Sequence, residues 1–127
     1  MSILRKSRSA LGLAVLVSAG LMAAPPAAAR SAAARQAAAA ARGLAFAQDH
    51  CASCHGLTAN SSSPNPEAPP WDDVANRTGT SVRTVAAFLT DAHSYPAAMD
   101  FTIGRAAARD LAAYMITLRK PGYRPTR

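Results

Sequence analysis

The two cysteines of this chain stand three residues apart and are followed at once by a histidine, in the run Cys51-Ala52-Ser53-Cys54-His55. Because no other cysteine occurs among the 127 residues, the chain cannot fold as a dense disulfide scaffold. A small domain without disulfides must gain its stability from packed apolar elements or from a bound group. The run therefore indicates a site at which two thiols and one imidazole act together.

The Cys-x-x-Cys-His spacing is typical of covalent haem attachment. Each thiol can add to a haem vinyl group to form a thioether, and the imidazole that follows then reaches the iron. A dithiol redox pair usually opens a helix after a strand, whereas Cys51 follows an alanine-rich helical segment. A zinc site would need two more ligands, and only the badly spaced His50 and His93 remain. We therefore predict one haem c bound through Cys51, Cys54 and His55.

The first 29 residues have the order of an export signal. Residues 1–9 contain three basic side chains and no acid, residues 10–24 are almost wholly apolar, and small residues lead up to Ala29. This order predicts a secretory signal peptide over residues 1–29, cleaved near Ala29, and a mature domain over residues 30–127. An uncleaved anchor is the alternative, although the apolar run is shorter than the roughly 18 residues that a spanning helix needs. We expect no stable membrane insertion after cleavage, and an oxidising extracytoplasmic compartment.

The net charge and the length of the chain exclude several classes of function. Removal of the three basic signal residues reduces the net charge from +7 to +4, which is too mild to indicate a nucleic-acid partner. The chain is too short for a large nucleotide-binding sheet or a barrel enzyme. With seven aromatic residues its core is thin, so a buried porphyrin would add apolar area that stabilises the fold.

The periodicity of the apolar residues predicts an all-α domain, because no alternating strand pattern is present. A proline- and serine-rich loop is expected between the attachment motif and the second helix, and a loop of this length suits wrapping around a bound group. Ser81 is the expected N-cap of the third helix, whose Val82, Val85, Phe88 and Leu89 should face inward. The predicted helices cover residues 30–49, a short stretch from 70, a stretch from 81, and residues 104–119.

The second axial ligand of the iron stays open at this stage. Met115 lies in the apolar stripe of the last helix and is expected to fill the core, while His50 directly precedes Cys51 and cannot reach the opposite haem face. Met99 and His93 share a non-periodic stretch between two helices. Chemistry favours Met99 over His93, with a vacant position as the third possibility.

The chain resembles the small monohaem class I c-type cytochromes of bacterial periplasms over about residues 42–119. The attachment motif is the specific part of this resemblance, and the other segments support it by their order. These segments are Arg42-Gly43-Leu44-Ala45-Phe46-Ala47, Ala68-Pro69-Pro70-Trp71-Asp72-Asp73-Val74-Ala75-Asn76-Arg77, Phe88-Leu89 with His93 and Met99, and Asp110 to Arg119.

The resemblance implies a class I cytochrome c fold of three to five helices around one covalent haem. It makes His55 the proximal ligand and Met99 the distal one, with a proline-loop carbonyl accepting the imidazole N–H. It also implies that Gly43 and Phe46 meet Tyr114 where the first and last helices cross. The chain departs from the family in having Asp100, where proline commonly follows the ligand methionine.

A haem iron with both axial positions filled by protein has no open site for substrate and can exchange one electron. We therefore expect a monomeric periplasmic electron carrier that serves redox partner proteins, and not an enzyme. The alternative is a haem subunit or ligand-binding sensor from which Met99 dissociates, which Asp100 favours. A further alternative is an accessory subunit of a dehydrogenase, with the Ala/Arg-rich residues 30–42 as a docking helix.

Overall fold

The computed structural model describes residues 26–91 and 102–125, and these ranges contain four α-helices and no strand. The helices are α1 (Ala27–His50), α2 (Trp71–Ala75), α3 (Val82–Asp91) and α4 (Arg105–Thr117). The predicted all-α class is confirmed, with a helix count inside the expected range. None of the helices in these ranges is both long and apolar enough to span a membrane.

Helix α1 is about 36 Å long, at 1.5 Å per residue. Its alanine-rich sequence favours a helix because alanine loses no side-chain entropy on folding. Residues 27–38 are exposed, and the buried positions are Ala40, Gly43 and Ala47, which share one face of the helix. The helix begins at Ala27, three residues earlier than predicted, and therefore includes the predicted cleavage position.

Helices α1 and α4 cross in backbone contact at Gly43. A Cβ atom at Gly43 would lie 2.0 Å from the Asp110 carbonyl oxygen and 2.8 Å from the Leu111 backbone nitrogen. Only glycine permits such an approach. The Arg42 guanidinium donates two hydrogen bonds to the Asp110 carboxylate across the same crossing, at 2.7 and 2.9 Å. The predicted crossing is confirmed, and the atoms nearest to Gly43 are those of the Asp110 and Leu111 backbone and not of the Tyr114 side chain.

Replacement of Gly43 by alanine should destabilise the protein by about 1–3 kcal/mol, because the added methyl group forces the two helix backbones apart. The denaturant midpoint of the holoprotein measures this loss. Gly104→Ala is the control, since a Cβ atom there meets nothing within 4 Å; because Gly104 is the N-cap of α4, the loss of stability should stay below about 1 kcal/mol. Equal stability of the two variants would mean that the helices do not meet at Gly43.

Helix α4 is the centre of the packing. In the part of the chain that the structure describes, α1, α2 and α3 pack against α4 and not against one another. The fully buried side of α4 carries Leu111 and Ala112, with Tyr114, Met115 and Leu118 almost as buried. The stripe predicted for this helix is therefore the core of the domain.

Helix α3 begins as the sequence predicts. The Ser81 hydroxyl accepts the Thr84 N–H at 3.1 Å, and the Thr84 hydroxyl accepts the Ser81 N–H at 2.9 Å, so each residue caps the other. Val85 is buried, but Phe88, which was expected to face inward, is 64% exposed. The reason is that Phe88 stands at the rim of a cavity and not inside the protein core.

Candidate functional site

The attachment motif continues the last turn of α1. The N–H of Cys51 donates to the Ala47 carbonyl at 2.8 Å, and the N–H of His55 donates to the Cys51 carbonyl at 2.9 Å. Because the chain keeps a helical turn here, Cys51, Cys54 and His55 at positions i, i+3 and i+4 lie on one side of it. All three residues line the same cavity. The structure thus brings together the three residues predicted from the motif.

This cavity has a volume of about 410 Å³, within the range of protein sites for small ligands and cofactors. One wall carries the two thiols and the imidazole. The remaining lining is mainly apolar and comes from α2, α3, α4 and the residue that precedes Gly104. Its apolar members are Trp71, Val74, Val85, Phe88, Leu89, Ile103 and Met115. An apolar cavity with its reactive groups along one wall fits a flat, largely apolar macrocycle such as haem.

The His55 ring is oriented by the proline-rich loop. Its Nδ1 lies 2.9 Å from the Pro69 carbonyl oxygen. A carbonyl can only accept, so Nδ1 carries the proton and Nε2 keeps a lone pair for a metal ion. The sequence predicted a carbonyl of this loop in that role, and the structure identifies it as that of Pro69. The Trp71 ring, 6.1 Å from the imidazole between centroids, lies beside it.

Hydrogen bonds fix the loop of residues 56–70 in the absence of regular secondary structure. The N–H of Trp71 donates to the Gly56 carbonyl at 2.9 Å, which closes the loop at its base. The Tyr114 hydroxyl, on α4, donates to the Leu57 carbonyl at 2.9 Å and is buried there. The long loop that the sequence predicted therefore follows a defined path, and its Pro69 forms part of the cavity wall.

The side chain of Asp72, in α2, binds the part of this loop that contains Asn60. Its side chain is only 2% exposed, and it accepts the N–H of Asn60 at 2.7 Å and the N–H of Asp73 at 3.0 Å. Asn60 has a backbone φ of 60°, a left-handed conformation that asparagine tolerates better than most residues. The buried carboxylate thus holds the loop in a specific bend, a role that nothing in the sequence around Asp72 had indicated.

Replacement of Asp72 by alanine should leave two backbone donors without an acceptor and cost about 1–3 kcal/mol of stability. Chemical denaturation followed by circular dichroism measures the loss. Glu67→Ala removes an exposed carboxylate from the same region and should change stability by less than about 0.5 kcal/mol. If both variants unfold at the same denaturant concentration, Asp72 does not hold the loop.

The thiol of Cys51 does not have the character of a redox-active cysteine. Burial, together with the neighbouring Cys54 thiol, raises the pKa of Cys51 to about 11. Redox-active cysteines need a lowered pKa, because the thiolate is the attacking species. In the described ranges no cluster of three or more His, Cys, Asp or Glu side chains could hold a metal ion. The raised pKa of Cys51 therefore disfavours a dithiol redox pair at this motif.

The other predicted candidates divide into two groups. Met115 is buried as expected, but it also lines the cavity, and exposed His50 lies at its edge. His93 and Met99 lie outside the described residues. Ile103 and Arg77 in the lining were not predicted as site residues, since neither belongs to a helical apolar stripe that the sequence displays.

Comparison with known proteins agrees with the interpretation of this cavity as a haem site. The model of the cytochrome c family matches residues 40–119. Cytochrome c-552 of Bradyrhizobium diazoefficiens is 36% identical over 80 residues, which cover 63% of this chain and 75% of that protein. No solved structure matches the chain.

Proposed function

Because the chain belongs to the cytochrome c family, as a small class I c-type cytochrome with a covalent haem c, we propose that it is a periplasmic one-electron carrier with His55 and Met99 as axial ligands. When bound, the haem supplies an iron that is reversibly oxidised and reduced by one electron. Electron carriers of this kind work with redox partner proteins. The observation that carries the proposal is the cavity that combines both thiols with a His55 ring oriented for metal binding.

Attachment through Cys51 and Cys54 follows from their position on one wall of the cavity. Two thioether bonds from Cys51 and Cys54, three positions apart on one turn, would hold the haem at the end of α1. The imidazole of His55, which is on the same turn, would bind the iron. The hydrogen bond to Pro69 then keeps the imidazole from rotating, and it increases the electron density on Nε2.

Met99 as the distal ligand is supported by the ends of the segment that contains it. Leu89, near the end of α3, and Ile103, just before α4, both line the cavity. Residues 92–101 connect these two walls, and Met99 stands four positions before Ile103. A soft thioether ligand favours ferrous iron, so His/Met ligation gives a higher reduction potential than two imidazoles.

Export to the periplasm is supported by the basic and then apolar order of residues 1–24 and by the bacterial source of the similar cytochrome c-552. The signal peptide is taken to end near Ala29, so that the mature carrier comprises residues 30–127. It acts as a monomer, and it transfers electrons without converting a substrate.

The experiment is a redox titration of the purified holoprotein followed by exposure of the reduced form to carbon monoxide. A carrier with both axial positions filled titrates as one electron per haem and does not take up carbon monoxide at neutral pH. Rapid carbon monoxide binding by the unmodified protein would replace this proposal with a ligand-binding haem protein. N-terminal sequencing of the protein from the periplasmic fraction tests the cleavage site.

A further inference from the structure

A second concave site lies between the turn that follows α2 and the end of α4. This groove has a volume of about 550 Å³ and is lined by residues 75–80 and 119–121. Three of its lining residues are cations, namely Arg77, Arg119 and Lys120, and none is an acid. It is distinct from the haem cavity, although Arg77 and Thr80 line both.

Two of the cations are held in place before any ligand binds. The Arg119 guanidinium donates to the carbonyls of Ala75 and Thr80 and so bridges the two ends of the turn. The Lys120 ammonium donates to the Asn60 side-chain oxygen at 3.2 Å. Cations whose positions are already fixed lose less conformational entropy when they bind an anion.

The turn itself contributes backbone donors. Gly79 has a φ of 81°, and left-handed residues in turns make successive N–H groups into concave anion sites. In the part of the chain that the structure describes, no hydrogen bond uses the N–H of Thr78 or Gly79. A Cβ atom at Gly79 would meet nothing within 4 Å, so the turn is open on that side.

The nearest acids in the sequence do not neutralise the groove. Asp72 is buried and accepts two backbone N–H groups. Asp73 accepts the Tyr123 hydroxyl at 2.5 Å. Neither residue is part of the lining, so the three positive charges have no opposing carboxylate in it.

From these observations we infer that the groove is a binding site for an oxyanion of the phosphate class. Lys120 and Arg77 supply charge, Arg119 fixes the shape, and the Thr78–Gly79 backbone supplies directional donors. A phosphate group suits the site better than a halide, because several oxygens can accept from several donors at once. Free phosphate and a phospholipid headgroup present the same chemistry to it.

The test titrates inorganic phosphate into the reduced holoprotein while amide NMR shifts are recorded, with chloride keeping the ionic strength constant. Saturable shifts at Gly79 and Lys120 are expected. Lys120→Gln should weaken phosphate binding about tenfold, which corresponds to about 1.4 kcal/mol, and Lys120→Arg should retain it. Arg83→Gln removes an equal charge from α3, outside the groove, and should bind phosphate as the parent does.

Flotation with vesicles distinguishes the two sources of the anion. A headgroup is the ligand if the protein binds phosphatidylglycerol vesicles but not pure phosphatidylcholine vesicles. Lys120→Gln should then lose this binding, and Arg83→Gln should keep it. Phosphate binding without vesicle binding supports a free oxyanion. Shifts that never saturate, or equal losses in Lys120→Gln and Arg83→Gln, would overturn the inference, because they indicate only the general positive charge of the surface.

Discussion

Replacement of Met99 by leucine should open the iron, lower the reduction potential and remove the far-red absorption that sulfur ligation gives the oxidised haem. Leucine keeps the apolar volume but has no lone pair, so the loss is that of a ligand and not of packing. Each ~59 mV by which the potential falls is a tenfold loss of preference for the ferrous state, or about 1.4 kcal/mol. The reduced variant should bind carbon monoxide, which we expect the parent to exclude. Spectroelectrochemistry and carbon monoxide difference spectra measure these changes.

Two control variants show whether the effect comes from the loss of an iron ligand. Met115 lines the same cavity from α4, so Met115→Leu reports what the loss of a cavity methionine does without any loss of ligation. It should keep the far-red band and exclude carbon monoxide. His93→Ala should do the same. If His93→Ala opens the iron and Met99→Leu is silent, the haem has two histidine ligands and the assignment of Met99 is wrong.

The second large effect is expected at the attachment motif. Cys54→Ala leaves one thiol, so at most one thioether can form, and the haem stain of the protein on a denaturing gel should fall sharply. Ser53→Ala is the matched control, because Ser53 lines the same cavity but cannot form a thioether. A Cys54→Ala protein that stains like the parent would exclude attachment through this motif.

Features that are determined by residues close together in the sequence were predicted correctly. The cap at Ser81, the start of α2 after Pro70 and the stripe of α4 are all determined by residues within a few positions of each other. The attachment motif belongs to the same class, because its three side chains share one helical turn. The structure confirms the cap, the start of α2 and the stripe of α4, and it places the three side chains of the motif on one turn.

Features that depend on distant partners could not be predicted in detail. Four prolines of the loop could have held His55, and only the folded path of the loop selects Pro69. Similarly, the resemblance implied a helix crossing at Gly43 with Tyr114 as the partner, but the backbone that lies against Gly43 depends on the rotation of α4 about its axis. The exposure of Phe88 has the same origin, because a helical stripe that faces a cavity looks in sequence like one that faces a core.

The packing of three helices on α4 has a consequence for the order in which the protein can form. A chain is synthesised from its N-terminus, so the segments that form α1, α2 and α3 are made before α4, on which all three pack. Since they do not pack on one another in the described structure, they have no shared core until α4 arrives. The attachment motif, by contrast, needs only its own turn. This protein can therefore present its thiols and imidazole before α4 packs, and the packing of α4, which carries Met115, completes the cavity.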